Sequence, residues 1–400
     1  MANRTTKARE NVSRRGPEAL LDGHKEFLIP DEPLGWRGAL ARMMYQTGMT
    51  DVMRSVSRSY HAQFVAGARW PRWRKVNAPR FLILCYHRVG MGGIPFYSEL
   101  MPETFDQQMC HLRKHYRVIS LEQLCLELQE PVADHSVAVT FDDGYRDVLT
   151  HAFPILQKHQ IPATVFLIAN SVETGQVAWY DRVFLSLQVF PAETLEIDLD
   201  QPRHFKFVSA QDRYRAALEM VMRLRTLPNR RRKECCADLE RRVTLPQADL
   251  AERMLNWEQV RTMSSNGIAF GAHTVTHPVV SRLTADELET ELAESREILE
   301  ARLGKPVLDF AFPFGSLDDC GSEAQTQLAR LGYRSAATTV PGLNGPGANP
   351  FALKRMQIGQ EPSVAMFAMR ISQAFLFPEP AEPPFGAESS REPHEVSVAN

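Results

Sequence analysis

The chain has 400 residues, 44% of them hydrophobic, and a formal net charge of −2. A chain of this size can bury a large core, and its charge balance gives no sign of nucleic-acid binding. Its six cysteines include no Cys-x-x-Cys pair, so they predict no cysteine metal site. No window reaches the ~20 apolar residues of a membrane span, and the first residues lack an apolar stretch of signal-peptide length.

The first segment, residues 1–80, is basic. It holds fifteen Lys or Arg against seven Asp or Glu, a surplus of eight positive charges. We expect a helical extension in which basic residues alternate with Trp and other apolar residues. Two interpretations stay open: the segment contacts an anionic membrane surface, or a helix packs on the following domain with a solvated basic face.

Five short apolar runs then predict strands, and all but one lead directly into a polar or turn residue. They cover residues 81–86, 137–141, 165–168, 268–272 and 310–312, with His87, Asp142, His273 and Pro313 directly after four of them. Unbroken apolar runs are typical of strands buried on both faces. Helical patterns alternate with them at 102–116, 121–128, 145–159, 257–266, 284–303 and 322–331. The alternation favours a parallel barrel or a doubly wound sheet, with the polar residues at one rim.

Two motifs at that rim carry the chemistry: Thr-Phe-Asp-Asp-Gly at 140–144 and His-Thr-Val-Thr-His at 273–277. Adjacent aspartates are common in solvated turns, and two histidines four residues apart are common on surface helices. Their joint occurrence after strand-like runs favours a metal site of two His and one Asp, with a second Asp left over as a base. These ligands suit catalytic zinc, although cobalt, nickel, manganese and iron accept the same set.

These motifs, together with Phe-Ala-Phe-Pro-Phe-Gly at 310–315, resemble the three motifs of the NodB-like polysaccharide deacetylases, carbohydrate esterase family four. The resemblance runs from about residue 81 to 357. It implies a distorted (β/α) barrel with fewer than eight repeats and the removal of acetyl groups from sugars by a metal-bound water. It also implies that Asp142 is the general base and that Asp143, His273 and His277 bind the metal. The backbone N–H near Phe314 would stabilise the oxyanion.

Two positions depart from the family pattern. Many members place an Arg two residues before the Pro of the third motif, where it orients the base, and this chain has Ala311 there. Many also supply a general-acid His near the end of the domain, and after His277 this chain has only His394. We expect His87 to serve as the acid, since the 84–89 run resembles the first strand of the exopolysaccharide and cell-envelope branch. The alternative is that His87 is an ordinary strand-end residue.

The predicted organisation is a basic helical extension at 1–80, a deacetylase barrel at 81–377 and a disordered Pro- and Glu-rich tail at 378–400. A long insertion at about 170–255 should overhang the rim, where aromatic side chains would stack on sugar rings. The run of four basic residues at 230–233 lies in a helical stretch of that insertion, and its simplest interpretation is a solvated helix face.

The sequence therefore predicts a metal-dependent deacetylase of acetylated carbohydrates, of unknown oligomeric state, in the cytoplasm or peripherally at the inner membrane face. Its buried-strand Cys85 agrees with a reducing compartment. Three alternatives remain: a hydrolase of a small amide or formamido sugar, a non-catalytic carbohydrate-binding protein, and a membrane-surface scaffold. A narrow pocket would favour the small substrate, and loss of a ligand would favour the binding protein.

Overall fold

The computed structural model describes residues 80–90, 99–129, 135–245, 250, 252–359 and 363–376, together with Met43 and Gln46. Almost all of the predicted basic extension, and the whole predicted tail, lie outside these residues. None of the described helices is long and apolar enough to cross a membrane.

The main sheet has eight strands in the described part of the chain, and every pairing in it is parallel. Its strands are β1 (Phe81–Tyr86), β2 (Arg117–Val118), β3 (Ser136–Phe141), β4 (Ala163–Leu167), β7 (Ala269–Ala272), β8 (Asp309–Ala311), β9 (Ser335–Ala337) and β10 (Met356–Gln357). Seven of them follow the order β10-β1-β3-β4-β7-β8-β9, and β2 pairs with the start of β3. A separate antiparallel hairpin is formed by β5 (Thr194–Asp198) and β6 (Pro202–Lys206).

The two ends of this path approach each other just before β10. Thr338, directly after β9, donates its backbone N–H to the Leu353 carbonyl over 2.8 Å, and Leu353 donates to the Ala336 carbonyl over 2.9 Å. The sheet is thus a distorted (β/α) barrel with fewer than eight repeats, as predicted. Every residue of β1 and of β3 is buried, because helices cover one face of these strands and the barrel interior covers the other.

Helices alternate with the strands as the sequence predicts. The α-helices are α1 (Pro102–His115), α2 (Leu121–Glu127), α3 (Phe153–His159), α4 (Ala169–Thr174), α5 (Trp179–Gln188), α6 (Ala210–Leu224), α7 (Asn229–Arg241), α8 (Trp257–Ser265), α9 (Ala285–Leu303), α10 (Leu317–Cys320), α11 (Ser322–Arg330) and α12 (Val364–Leu376). The predicted helix at 145–159 starts later than expected, with a π-helical turn at Val148–Ala152 before α3.

Local sequence signals explain where α9 begins and ends. The Thr284 hydroxyl accepts from the Glu287 N–H while the Glu287 carboxylate accepts from the Thr284 N–H, which is a capping box. Gly304 ends the helix at φ +67°, a conformation that glycine adopts at little cost. Leu288, Leu292 and Leu299 are the buried leucines by which α9 packs on the barrel.

The predicted insertion contains α4 to α7 and the β5–β6 hairpin, between β4 and β7. It has an apolar core of its own, in which Phe184 and Leu187 of α5 pack with Val221 of α6 and Leu239 of α7. The position of α5 matters for function, because its first residues contact the loop after β7.

Candidate active site

The loops that follow β1, β3, β7 and β8 meet at one edge of the barrel, as the sequence predicts. They bring together His87, the aspartates Asp142 and Asp143, and the histidines of the loop after β7. The carboxyl ends of parallel strands form this edge, which is where reactive groups gather in α/β barrels.

Three side chains form a candidate metal centre. The Oδ1 atom of Asp143 lies 3.4 Å from Nε2 of His273 and 3.4 Å from Nε2 of His277. All three residues are at most 2% exposed. Among the described residues, neither Asp143 oxygen and neither His277 ring nitrogen has an aligned hydrogen-bond partner. Buried polar atoms without partners are costly, so these atoms are suited to a ligand that satisfies them.

The spacing and the tautomer fit a small divalent ion. Nitrogen and oxygen ligands at ~2.0–2.1 Å from a tetrahedral zinc ion are about 3.4 Å apart, which agrees with both distances from Asp143. Nδ1 of His273 lies 2.7 Å from the Ala311 carbonyl oxygen. That carbonyl can only accept, so Nδ1 carries the proton and Nε2 presents its lone pair to the ion.

The backbone around the site is held in unusual conformations. Asp143 (φ +72°), Thr274 (φ +65°), His277 (φ +58°) and Phe314 (φ +59°) all occupy the left-handed region. This is rare for residues other than glycine, most of all for a β-branched residue such as Thr274, and such strain concentrates at functional sites. The Thr274 hydroxyl accepts from the His277 N–H over 2.9 Å, which partly offsets the cost.

Two residues remote in sequence hold the histidine loop. Glu291 of α9 accepts from the backbone N–H groups of Val275 (2.8 Å) and Thr276 (2.9 Å). Trp179 of α5 donates its indole N–H to the His277 carbonyl over 2.9 Å. No local signal in the sequence points to Glu291, which occupies a buried position of a helix whose charged residues otherwise suit solvent.

Asp142 is oriented by a residue that the sequence reasoning missed. Arg355, which directly precedes β10, donates from Nη1 to Oδ1 and from Nη2 to Oδ2 of Asp142, each over 2.7 Å. Although burial opposes ionisation, the Arg355 guanidinium holds the pKa of Asp142 well below its usual range. The position left vacant at Ala311 is thus compensated by the residue that directly precedes β10.

His87 lies close to Asp142 and Cys85. One side-chain atom of each of Cys85, His87 and Asp142 lies within 4.8 Å of the others. Burial lowers the pKa of His87, against the nearby carboxylates of Asp143 and Asp142. Burial raises the pKa of the Cys85 thiol well above its usual value, so Cys85 stays protonated and donates to Asp142 over 3.4 Å.

Aromatic rings enclose His277. The Tyr180 and Phe314 rings each contact the imidazole edge to face, at centroid distances of 5.0 Å. Trp179 is 7% exposed and Tyr180 is fully buried. The expectation that aromatic residues of the insertion stack on sugar rings is therefore wrong for these two, which pack on the His277 loop instead.

Another buried carboxylate, that of Asp181, lies next to this aromatic group. Asp181 of α5 is fully buried and accepts from the Tyr145 hydroxyl over 2.6 Å, while its Oδ1 has no hydrogen-bond partner among the described residues. Burial raises the pKa of Asp181 to about 7. Arg88 lies over the Tyr145 ring at 4.9 Å and pairs with Glu99 and Asp147.

The helix that carries residues 230–233 is not uniformly solvated. The side chain of Arg230 is 90% exposed, but Arg232 is only 4% exposed and stacks on the Trp179 ring at 4.8 Å. The interpretation of this basic run as a solvated face is therefore wrong for Arg232.

A barrel of this kind, with two histidines, one aspartate and a second buried aspartate at its carboxyl edge, defines a class of metal-dependent hydrolases. The polysaccharide deacetylase family model matches residues 129–336, about half of the chain, and this protein belongs to that family. The family is metal-dependent, in agreement with the candidate centre.

Individual relatives are distant. The protein YxkH of Bacillus subtilis is named provisionally as a polysaccharide deacetylase. It is 21% identical to this chain over 304 residues, which cover 75% of this chain and 79% of YxkH. The deacetylase PplD of Streptococcus pyogenes, solved in complex with acetate, superposes with a TM-score of 0.50 at 21% identity, covering 76% of this chain and 100% of that chain. IcaB of Ammonifex degensii gives 0.48 at 22% identity, covering 73% and 98%. The similarity to PplD is a similarity of fold.

Proposed function

We propose that this deacetylase removes acetyl groups from N-acetylated or O-acetylated sugars of a polysaccharide or its precursor, with Asp143, His273 and His277 holding a divalent metal. The observation that carries the proposal is the division of labour between two adjacent buried aspartates. Asp143 lies 3.4 Å from both imidazoles, while Asp142 is held apart by Arg355. Zinc is the favoured ion, and cobalt, nickel, manganese and iron suit the same ligands.

A bound divalent ion would polarise the acetyl carbonyl and lower the pKa of a water from ~15.7 towards ~7. Asp142 stays ionised because of Arg355, so its carboxylate accepts a hydrogen bond from the attacking water and then takes its proton. A base with so low a pKa is weak, so its contribution is chiefly to orient the water and to receive the proton late in the reaction.

The remaining steps fall to His87 and to the backbone at Phe314. His87 donates a proton to the leaving nitrogen, and the backbone N–H at Phe314 stabilises the oxyanion. In an N-acetylated substrate the acyl C–N bond breaks, and the products are acetate and a free amine. In an ester the acyl C–O bond breaks instead, and the products are acetate and a hydroxyl.

Arg355 also bears on the alternative of a non-catalytic carbohydrate-binding protein. That alternative drew support from Ala311, which suggested an unsupported base. With Arg355 bound to both oxygens of Asp142, the base is oriented and all three candidate ligands are present. This combination favours catalysis.

Metal content and acetate release test the proposal together. The parent protein should contain near-stoichiometric metal and release acetate from N-acetylglucosamine oligosaccharides. An Asp143→Ala, His273→Ala variant should lose both, while His204→Ala, in the exposed β6 strand, should lose neither. A parent without metal after resupply would overturn the proposal.

We also propose that the enzyme acts in the cytoplasm or at the inner membrane face, on precursors or growing chains. Two observations support this location: all six cysteines are free thiols, as is usual in reducing compartments, and residues 1–80 are basic. Cell fractionation with and without a salt wash tests it, and recovery only in the exported fraction would contradict it.

A further inference from the structure

A cavity of about 220 Å³ lies between α4, α5 and α7, beside the histidine loop. Its lining includes Trp179, which donates to the His277 carbonyl, and Thr276, which is part of the histidine loop. A water molecule occupies ~30 Å³ in the liquid, so the cavity admits a small polyatomic ion with several waters.

The charge of the lining is positive. The lining contains four residues that are charged at neutral pH: Arg182, Arg232, Lys233 and Glu240. Arg182 is bound to Glu240 at both carboxylate oxygens, over 2.7 and 2.5 Å, so this pair cancels. Burial raises the pKa of the Cys236 thiol in the lining to about 12, so it contributes no charge. Two cations remain, Arg232 and Lys233.

Arg232 is the unusual member of this group. Arg232 is only 4% exposed, yet no carboxylate among the described residues forms an ion pair with it. Arg232 donates from Nη2 to the Asn229 side-chain oxygen over 2.6 Å and lies over the face of the Trp179 ring. A buried guanidinium usually has an anion opposite it, because desolvation is otherwise poorly compensated.

Glu287 and Glu291 attract Arg232 electrostatically, but neither forms an ion pair with it among the described residues, and their hydrogen bonds go to other groups. Glu287 accepts from Asn229 over 2.8 Å and caps α9. Glu291 accepts from Val275 and Thr276. The guanidinium groups and the ammonium are donors only, and the Asn170 amide and Ser171 hydroxyl in the lining can also donate.

We propose that this cavity binds an oxyanion, the phosphate or carboxylate group of an anionic ligand, with Arg232 and Lys233 as its charged contacts. The guanidinium fork matches both groups in a bidentate manner. On the proposed function, on which this step rests, the acetylated substrate is an acidic or phosphorylated saccharide, and its anionic group binds beside the loop that carries His277.

Binding of inorganic phosphate to the full-length protein tests the site without requiring activity. Calorimetric titration should detect phosphate binding to the parent, weakened at least tenfold by Arg232→Met and several-fold by Lys233→Met. Arg230→Met removes an exposed charge from the same helix and should leave the affinity unchanged. If Arg232→Met does not fold, the comparison of Lys233→Met with Arg230→Met decides. The proposal is overturned if phosphate and glucuronate both fail to bind the parent, or if these variants bind as the parent does.

Two further measurements are needed. The first identifies the kind of anion, and the second separates failure of the anion site from failure of the proposed function. Tighter binding of glucuronate than of phosphate assigns the site to carboxylated sugars, and the reverse assigns it to phosphorylated ones. The Asp143→Ala, His273→Ala variant should still bind the anion. Arg232-dependent anion binding by a protein that holds no metal would support the anion site and contradict the proposed hydrolase. Bound metal without Arg232-dependent anion binding would support the proposed hydrolase and overturn the anion site.

Discussion

Arg355 holds both oxygens of Asp142 over 2.7 Å each, although the two residues lie 213 positions apart in the chain. The pair is buried, with Arg355 at 0% and Asp142 at 2% exposure. The arginine is brought there because β10 pairs with β1, which lies beside β3, the strand that leads directly into Asp142.

Replacing Arg355 by Met should destabilise the protein by about 3–5 kcal/mol, because a buried carboxylate is left without its partner. Activity per folded molecule should also fall steeply, since Asp142 loses its orientation, while bound metal is retained. Arg355→Lys should recover part of the stability through its charge but not the two-point geometry. Chemical denaturation, metal analysis and acetate release measure the three effects.

A second ion pair provides the control. Arg334 binds Asp309 over 2.6 Å at the opposite end of the barrel strands. Arg334→Met should lower stability without lowering activity per folded molecule. If Arg355→Met behaves in the same way, Arg355 is only structural.

Glu291→Ala should weaken metal binding roughly 10- to 100-fold, the usual effect of removing a group that positions metal ligands. The physical reason is the loss of the acceptor for Val275 and Thr276, which leaves the histidine loop free to move. Metal competition with a chromophoric chelator measures the change. Glu289→Ala, on the exposed side of the same helix, should have no effect, and equal affinities for both variants would contradict this role.

His87→Ala should lower turnover, within the ~10²–10⁴-fold range of general acid catalysis, while metal stays bound. A general acid must be protonated, and burial lowers the pKa of His87 below its usual value. Turnover of the parent should therefore decrease as pH rises through that lowered pKa, and the variant should lose this limb of the profile. Full activity of His87→Ala across the pH range would remove His87 from the mechanism.

Asp181 makes stability depend on pH. Burial raises its pKa to about 7, from about 3.9 in an unfolded chain. Between these values the folded protein keeps a proton that the unfolded chain has lost, so the free energy of unfolding falls as pH rises, by up to about 1.4 kcal/mol per pH unit. Below pH 4 the penalty is absent, and above pH 7 it is complete.

Asp181→Asn removes this titration while keeping an acceptor for Tyr145. Parent and variant should have similar stability near pH 4, and the variant should be the more stable near pH 8. Urea denaturation at both pH values, at equal metal loading, measures the difference. A constant difference at the two pH values would show that Asp181 does not titrate in this window.

Gly271→Ala should destabilise the barrel by about 1–3 kcal/mol or more, as overpacking does. An added Cβ would lie 2.5 Å from the Phe166 ring and 2.7 Å from the Asp309 carbonyl oxygen, and the latter belongs to backbone that moves only with its strand. At Gly90 the nearest atom would be 3.6 Å away, so Gly90→Ala is the matched control. Thermal unfolding should separate the two variants, and equal melting temperatures would contradict the packing argument.

The strands and the motif residues were predictable because their signals are local. A run such as 81–86 is apolar throughout, as expected of a strand buried on both faces, and the polar residue after it marks the strand end. The ends of parallel strands share one edge, so the aspartates and the histidines of the two motifs had to lie near one another. The spacing of His273 and His277 is likewise fixed within one short loop.

The partners of these residues were decided only by the tertiary structure. Arg355 reaches Asp142 through the pairing of β10 with β1, and Glu291 reaches Val275 through the packing of α9 on the barrel. Trp179 and Arg232 come from an insertion whose sequence has no local signal for either contact. Such pairings depend on register and packing between distant segments, which hydrophobic periodicity does not encode. The sequence by itself thus determined five of the eight strands of the main sheet and the two motifs. The folded chain determined how the base is held, how the histidine loop is supported and where a buried cation faces a cavity.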